Sequence, residues 1–127
     1  MANLLSTTID GSITEKEGTG TVSGTTITVD LATGNFFEID LASATGSIGT
    51  ITVNNAAASG ISTFVLKLKQ GPTYRGIKWP TFSNFKWEDS NSAVLTSTDN
   101  HLDMLSFTTY DNGTTWIGSV IGTYSGS

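Results

Sequence analysis

Few side chains in this sequence could do chemistry, and their spacing demands none. His101 is the only histidine and cysteine is absent. A zinc site needs several convergent nitrogen or sulfur ligands, so one imidazole beside Asp99, Asn100 and Asp103 reads as a surface or subunit-contact group. Glycoside hydrolysis needs two carboxylates held apart across a cleft. The tightest acidic pairs are Glu38/Asp40, which share the polar face of one strand, and Glu88/Asp89, which follow an aromatic run. A Ser-His-acid set can be drawn through His101, yet serine is frequent and no Gly-x-Ser-x-Gly elbow occurs. The Gly-x-Gly within Gly18-Thr19-Gly20 precedes no helix-forming sequence that could receive a phosphate. Asp89-Ser90-Asn91 and Asp111-Asn112-Gly113 would suit calcium by composition, but turn chemistry already explains them. The expectation is a protein that is not an enzyme and holds no cofactor or metal.

Charge is segregated along the chain. Residues 1–60 hold six acids and only Lys16, residues 61–87 hold Lys67, Lys69, Arg75, Lys78 and Lys86 with no acid, and residues 88–127 hold five acids with no base. The basic block interleaves with Tyr74, Trp79, Phe82, Phe85 and Trp87, a composition that single-strand nucleic-acid surfaces share. An overall charge of −5 argues against that use, since counterion release favours basic proteins. The expected roles are charge pairing for Lys67, Lys69, Arg75, Lys78 and Lys86, within the fold or between subunits, and core, lid, ligand or partner contact for Trp79, Phe82, Phe85 and Trp87.

The elements that must position these residues are strands. Apolar residues nowhere repeat at helical spacing over three turns, while Thr, Val and Ile are abundant and glycines fall at turn intervals. Strict alternation places Ile27, Val29 and Leu31 on one face of Thr25–Leu31, and Phe37, Ile39 and Leu41 on one face of the next strand. Ile48–Val53 reads as a third strand, and Thr63–Lys69 buries Phe64, Leu66 and Leu68. Ile77-Lys78-Trp79 is a short strand stopped by Pro80. Asn112-Gly113 is the strongest hairpin signal, because both residues tolerate the positive φ that a tight two-residue turn requires. That turn sets Thr109 opposite Trp116, Phe107 opposite Gly118 and Leu105 opposite Val120, all on one face, and it makes Phe107 the cover for the bare backbone of Gly118.

One domain is expected from 127 residues: an all-β antiparallel β-sandwich of about eight strands, jelly-roll-like, over residues 25–127, with residues 1–24 as an extended N-terminal arm. Met1–Ser6 lacks a basic run followed by an apolar one, and no stretch is long and apolar enough to span a bilayer, so the chain reads as soluble, without a membrane partner.

Asp103–Gly118, with Phe64–Gln70 and Ile77–Pro80, resembles the end of a small all-β module in virion proteins of tailed phages, marine and cyanobacterial phages among them. The resemblance runs over roughly residues 35 to 121. It implies a viral structural protein assembled in the host cytoplasm and resident in the virion, most simply a capsid decoration or cement protein on the outside of the shell. The alternative is a tail-fibre or neck-appendage component binding host glycan through the aromatic run. Expected partners are the major capsid protein or another virion protein, contacted by Leu5, Thr7 and Ile9 of the arm, and further copies of the chain, as a trimer.

Overall fold

The computed structural model describes residues 16–126. Eight strands are present: β1 (Gly20–Ser23), β2 (Thr26–Asp30), β3 (Phe36–Asp40), β4 (Thr50–Asn54), β5 (Ser62–Lys69), β6 (Phe85–Trp87), β7 (Leu102–Thr109) and β8 (Trp116–Tyr124). The helical content of the described residues is three single 3-10 turns, at Leu41–Ser43, Trp79–Thr81 and Glu88–Ser90. Two sheets form, one ordered β1-β2-β4 and the other β3-β5-β7-β8-β6.

Both sheets are mixed, which corrects the antiparallel expectation. β2 runs parallel to β4, β3 to β5 and β6 to β8, whereas β1/β2, β5/β7 and β7/β8 are antiparallel. Alternation specifies which side chains a strand buries, but it is silent on the direction of the neighbour that supplies the hydrogen bonds. Ile27 and Val29 of the small sheet join Phe37, Ile39, Phe64, Leu66, Leu68, Leu105, Phe107 and Trp116 of the large one in a single buried cluster.

Residues 17–23 are built into this fold, so a boundary after Gly24 would cut the β1–β2 hairpin. Gly18 donates its backbone N–H to the Phe36 carbonyl at 2.8 Å, and β1 pairs with β2 along four residues. The segment has little to bury because its own backbone is the packing surface: a Cβ on Gly18 would collide with the Phe37 ring, and one on Gly20 would lie 2.8 Å from Ile39 Cδ1. The predicted arm contacts Leu5, Thr7 and Ile9 lie outside the described residues.

The hairpin forms in the expected register. Phe107 pairs with Gly118 and Leu105 with Val120, and Asn112 and Gly113 adopt φ of 62° and 85°. The connection is wider than two residues, because Thr109 and Asp111 build a polar loop. The Thr109 hydroxyl donates to Asp111 Oδ1 at 2.9 Å and accepts from Gly113 N–H at 3.0 Å, while Thr115 N–H donates to Asp111 Oδ1 at 2.7 Å. A bulge at Met104/Leu105 then shifts the register. Val120 lies beyond the covered part of the core face and is 53 % exposed.

Two further strand expectations need adjustment. Ile48 and Ile77 meet only in an isolated parallel bridge, and Trp79-Pro80-Thr81 is a 3-10 turn rather than a strand end. Two buried polar residues, Gln70 and Asp103, hold connections in place. Gln70 Nε2 donates to the Arg75 carbonyl at 2.7 Å and its Oε1 accepts from Arg75 N–H at 3.0 Å. Asp103 accepts from Thr96 N–H at 2.9 Å and from the Thr123 hydroxyl at 2.6 Å, fastening the incoming loop and the end of β8 to β7.

Candidate functional site

The aromatic run converges on one place. β6 lies parallel to the start of β8, with Phe85 level with Trp116 and Trp87 level with Gly118. The turn Trp79–Thr81 brings Trp79 to 4.9 Å from Trp87, 5.6 Å from Phe85 and 5.8 Å from Phe82 between ring centroids, and Phe107 lies 5.4–5.7 Å from Trp79, Phe85 and Trp87. Trp79 and Phe85 are buried; Phe82 and Trp87 are partly exposed. The run is therefore core on one side and surface on the other. Neither indole N–H, of Trp79 or of Trp87, has a conventional acceptor. The Trp79/Trp87 interplanar angle of 70° is of the edge-to-face kind in which an indole edge meets a ring face.

The cover over Gly118 is Trp87 and not Phe107. A Cβ at Gly118 would stand 2.8 Å from Trp87 Cζ3 and 2.9 Å from Cη2. The parallel β6/β8 pairing sets the indole directly on the bare backbone, which the hairpin register by itself could not foretell.

Two clefts flank Trp87. One of about 310 Å³ lies between Trp79, Phe82, Phe85 and Trp87, with Ser83, Ser90 and Ser92 beside them. The other, about 460 Å³, separates Glu88, Asp89 and Asn91 from Ile117–Val120, and Lys86 borders both. Between the clefts the chain turns through Asp89 and Ser90, both with positive φ (50° and 61°). Two consecutive non-glycine residues in this region are strained, at roughly 1–3 kcal/mol each. The turn follows directly on the end of the β6/β8 pairing, which runs for only three residues.

The charged residues divide. Lys67 Nζ lies 3.5 Å from Glu38, because parallel β3 and β5 set Glu38 beside Lys67 and Asp40 beside Lys69. Lys67 thus has an acidic partner inside its own chain, one of the two kinds of pairing expected of the basic block. Both partners are partly exposed, so the pair contributes roughly 0–1 kcal/mol. Among the described residues, Lys69, Arg75, Lys78 and Lys86 make no ion pair within 4.0 Å. His101 faces the Asp99 carbonyl at 3.3 Å, and no group of three metal-binding side chains converges among the described residues. The structure does not bring Arg75 and Lys78 to the aromatic clefts; only Lys86 of the basic block is there.

No family model, curated protein or solved structure matches this chain.

Sequence reasoning also missed a neighbour of the clefts. Past Gly118, β8 has β7 on one side and, among the described residues, no strand on the other, and Val120, Ile121 and Tyr124 are 45–53 % exposed there, with Ile117 40 % exposed just before. A signal was present: no residue after Asp111 carries a charged side chain.

Two turn carboxylates carry a pH dependence. The Asn55 amide, then Ala32 N–H, holds Asp30 below its ordinary value of 3.8. Thr115 N–H foremost does the same for Asp111. A depressed folded pKa means stability that is complete above the unfolded value and is lost as pH falls through the folded one. The melting temperature should therefore hold above about pH 4 and decline below it. Both groups are solvent-exposed, so the decline is modest. Asp30→Asn and Asp111→Asn should each flatten it in thermal melts from pH 2 to pH 6; unchanged slopes would assign the acid sensitivity to other groups.

Proposed function

We propose that this protein is a structural component of a phage particle, a decoration or cement protein seated on the outside of the shell as a closed homo-oligomer. In this reading the two sheets face each other as a jelly-roll-like sandwich, and residues preceding β1 supply the contact with the major capsid protein through Leu5, Thr7 and Ile9. The observation that carries it is the character of the surface. Among the described residues eight large apolar side chains are exposed, from Ile61 and Tyr74 through Val94 and Tyr110 to the four on β8, which suits a surface meant to be covered by other subunits. The likeness of Asp103–Gly118 to a virion module supports the same class. Many weak contacts repeated over a lattice hold by avidity, without any one tight site.

Copy number in gradient-purified particles tests this. Hundreds of copies per particle are expected of a cement protein. Tens or fewer would move it to the tail or neck, and absence from particles would overturn the reading.

The tail-fibre or neck alternative is favoured by one feature: Trp87 borders two clefts also lined by Lys86, Glu88, Asp89, Asn91 and serines. Aromatic faces flanked by short polar side chains suit a saccharide. Quenching of tryptophan fluorescence by host-surface polysaccharide, lost in Lys86→Ala, would favour this alternative over cement.

A further inference from the structure

We propose that the free edge of β8, residues 119–124, is a two-fold interface at which a second copy of this chain adds its own β8 antiparallel, joining two five-stranded sheets into one. The argument begins with hydrogen-bonding direction. Trp116 donates its N–H to the Asn84 carbonyl at 2.8 Å, toward β6. Side alternates along a strand, so the backbone groups of Gly118 and Val120 point the same way. β6 ends at Trp87, level with Gly118, and among the described residues Val120 has no strand to meet. The chain leaves this edge through the strained pair Asp89 and Ser90. An open edge of this length is normally blunted with charge, proline, a bulge or a covering segment. Here the described residues supply one such device, the single-residue bulge at Ile121 opposite Met104/Leu105, which also puts Ser119 and Tyr124 on one face, and the strand carries Val120, Ile121 and Tyr124 exposed without a charged side chain.

Charge selects the occupant. Each copy carries −5 overall, so most approaches between copies bring acid to acid. β8 is neutral along its full length, and a two-fold axis lays one neutral strand against another with identical contacts on both sides. Antiparallel overlap of the six free residues sets Tyr124 of the partner subunit opposite Ser119. Ser119 lines the cleft that Trp87 and Lys86 border. The cleft is then completed by an aromatic ring from the second copy, facing a lysine that has no ion pair within its own described chain. This favours a dimer over the trimer expected from charge segregation, and it holds whether or not the protein belongs to a particle.

The test uses the full chain. Light scattering after size exclusion should give a dimer that dissociates on dilution, and Val120→Lys should give a monomer with an unchanged near-ultraviolet circular dichroism spectrum. Ile61→Lys, at a site more exposed than Val120 (68 % against 53 %) beside Ser62 at the far end of the sheet, should remain dimeric. Should Val120→Lys not fold, hydrogen exchange on the parent still decides: protection of amides 119–124 should rise with protein concentration. A monomer at all concentrations, a trimer, a dimer that survives Val120→Lys, or concentration-independent protection of these amides would each overturn the proposal. The last would mean that the chain covers its own edge.

Discussion

Phe107→Ala should cost about 3–5 kcal/mol, the range for removing a buried aromatic side chain, and lower the melting temperature by roughly 10–20 °C. Phe107 is completely buried, and it is the side chain on which the two halves of the core meet. On one side its ring stacks on Phe64 at 5.1 Å with an interplanar angle of 28°. On the other it contacts Trp79, Phe85 and Trp87. Truncation therefore empties a space walled by four rings, fixed by β5, by the Trp79–Thr81 turn and by β6, and none can move in without abandoning its own packing. Stabilities of single domains run to about 5–15 kcal/mol, so the variant should be marginal. Denaturant unfolding followed by tryptophan fluorescence measures it. A loss under about 1 kcal/mol would mean that the ring cluster is not packed as described.

Gly118→Val should cost about 1–3 kcal/mol by overpacking, for a reason tied to Trp87. The added Cβ alone would approach the indole to 2.8–3.0 Å at three carbons. The indole cannot retreat, because Trp79 lies 4.9 Å behind it and Phe107 5.7 Å away. Gly49→Ala is the matched control: nothing lies within 4 Å of its added Cβ, and it should be nearly neutral. Adding Trp87→Ala to Gly118→Val should make the combined loss smaller than the two single losses added together, since the clash is removed with the ring. Strict additivity would mean that something other than Trp87 covers the glycine.

What the sequence made legible was the inward face of each strand. Ile27 and Val29, Phe37 and Ile39, Phe64, Leu66 and Leu68 are all buried where alternation puts them, because a half-buried strand has a period of two whatever pairs with it. The hairpin pairs Phe107/Gly118 and Leu105/Val120 were legible for a similar reason, being fixed by a local turn. Partners far apart in sequence were not legible. Nothing within Phe85–Trp87 says that it will lie parallel to β8, so the cover on Gly118 went to the nearer aromatic. Gln70 and Asp103 resemble solvent-facing residues in composition, and only the loops that close over them show that they are internal ties. The candidate site was least legible: its four aromatics do come together, but the strand edge beside them is defined by where β6 stops, just before two residues that adopt an unfavourable backbone conformation.

The three parallel pairings have a consequence in time. An antiparallel hairpin such as β7–β8 can close as soon as its turn forms. β2 must wait for β4, β3 for β5 and β6 for β8, each across a connection of some 20 residues or more. Chain entropy is lost in closing those loops before any ladder bond compensates for it. Folding should therefore begin at the β7–β8 hairpin, gain β5 antiparallel to it, and reach the native state on the millisecond-to-second scale typical of non-local β topologies. β6 has only three pairs to gain and a strained turn to adopt, so it should dock last. Until it does, the whole outer edge of β8 is bare, and a newly made chain is then at its most adhesive.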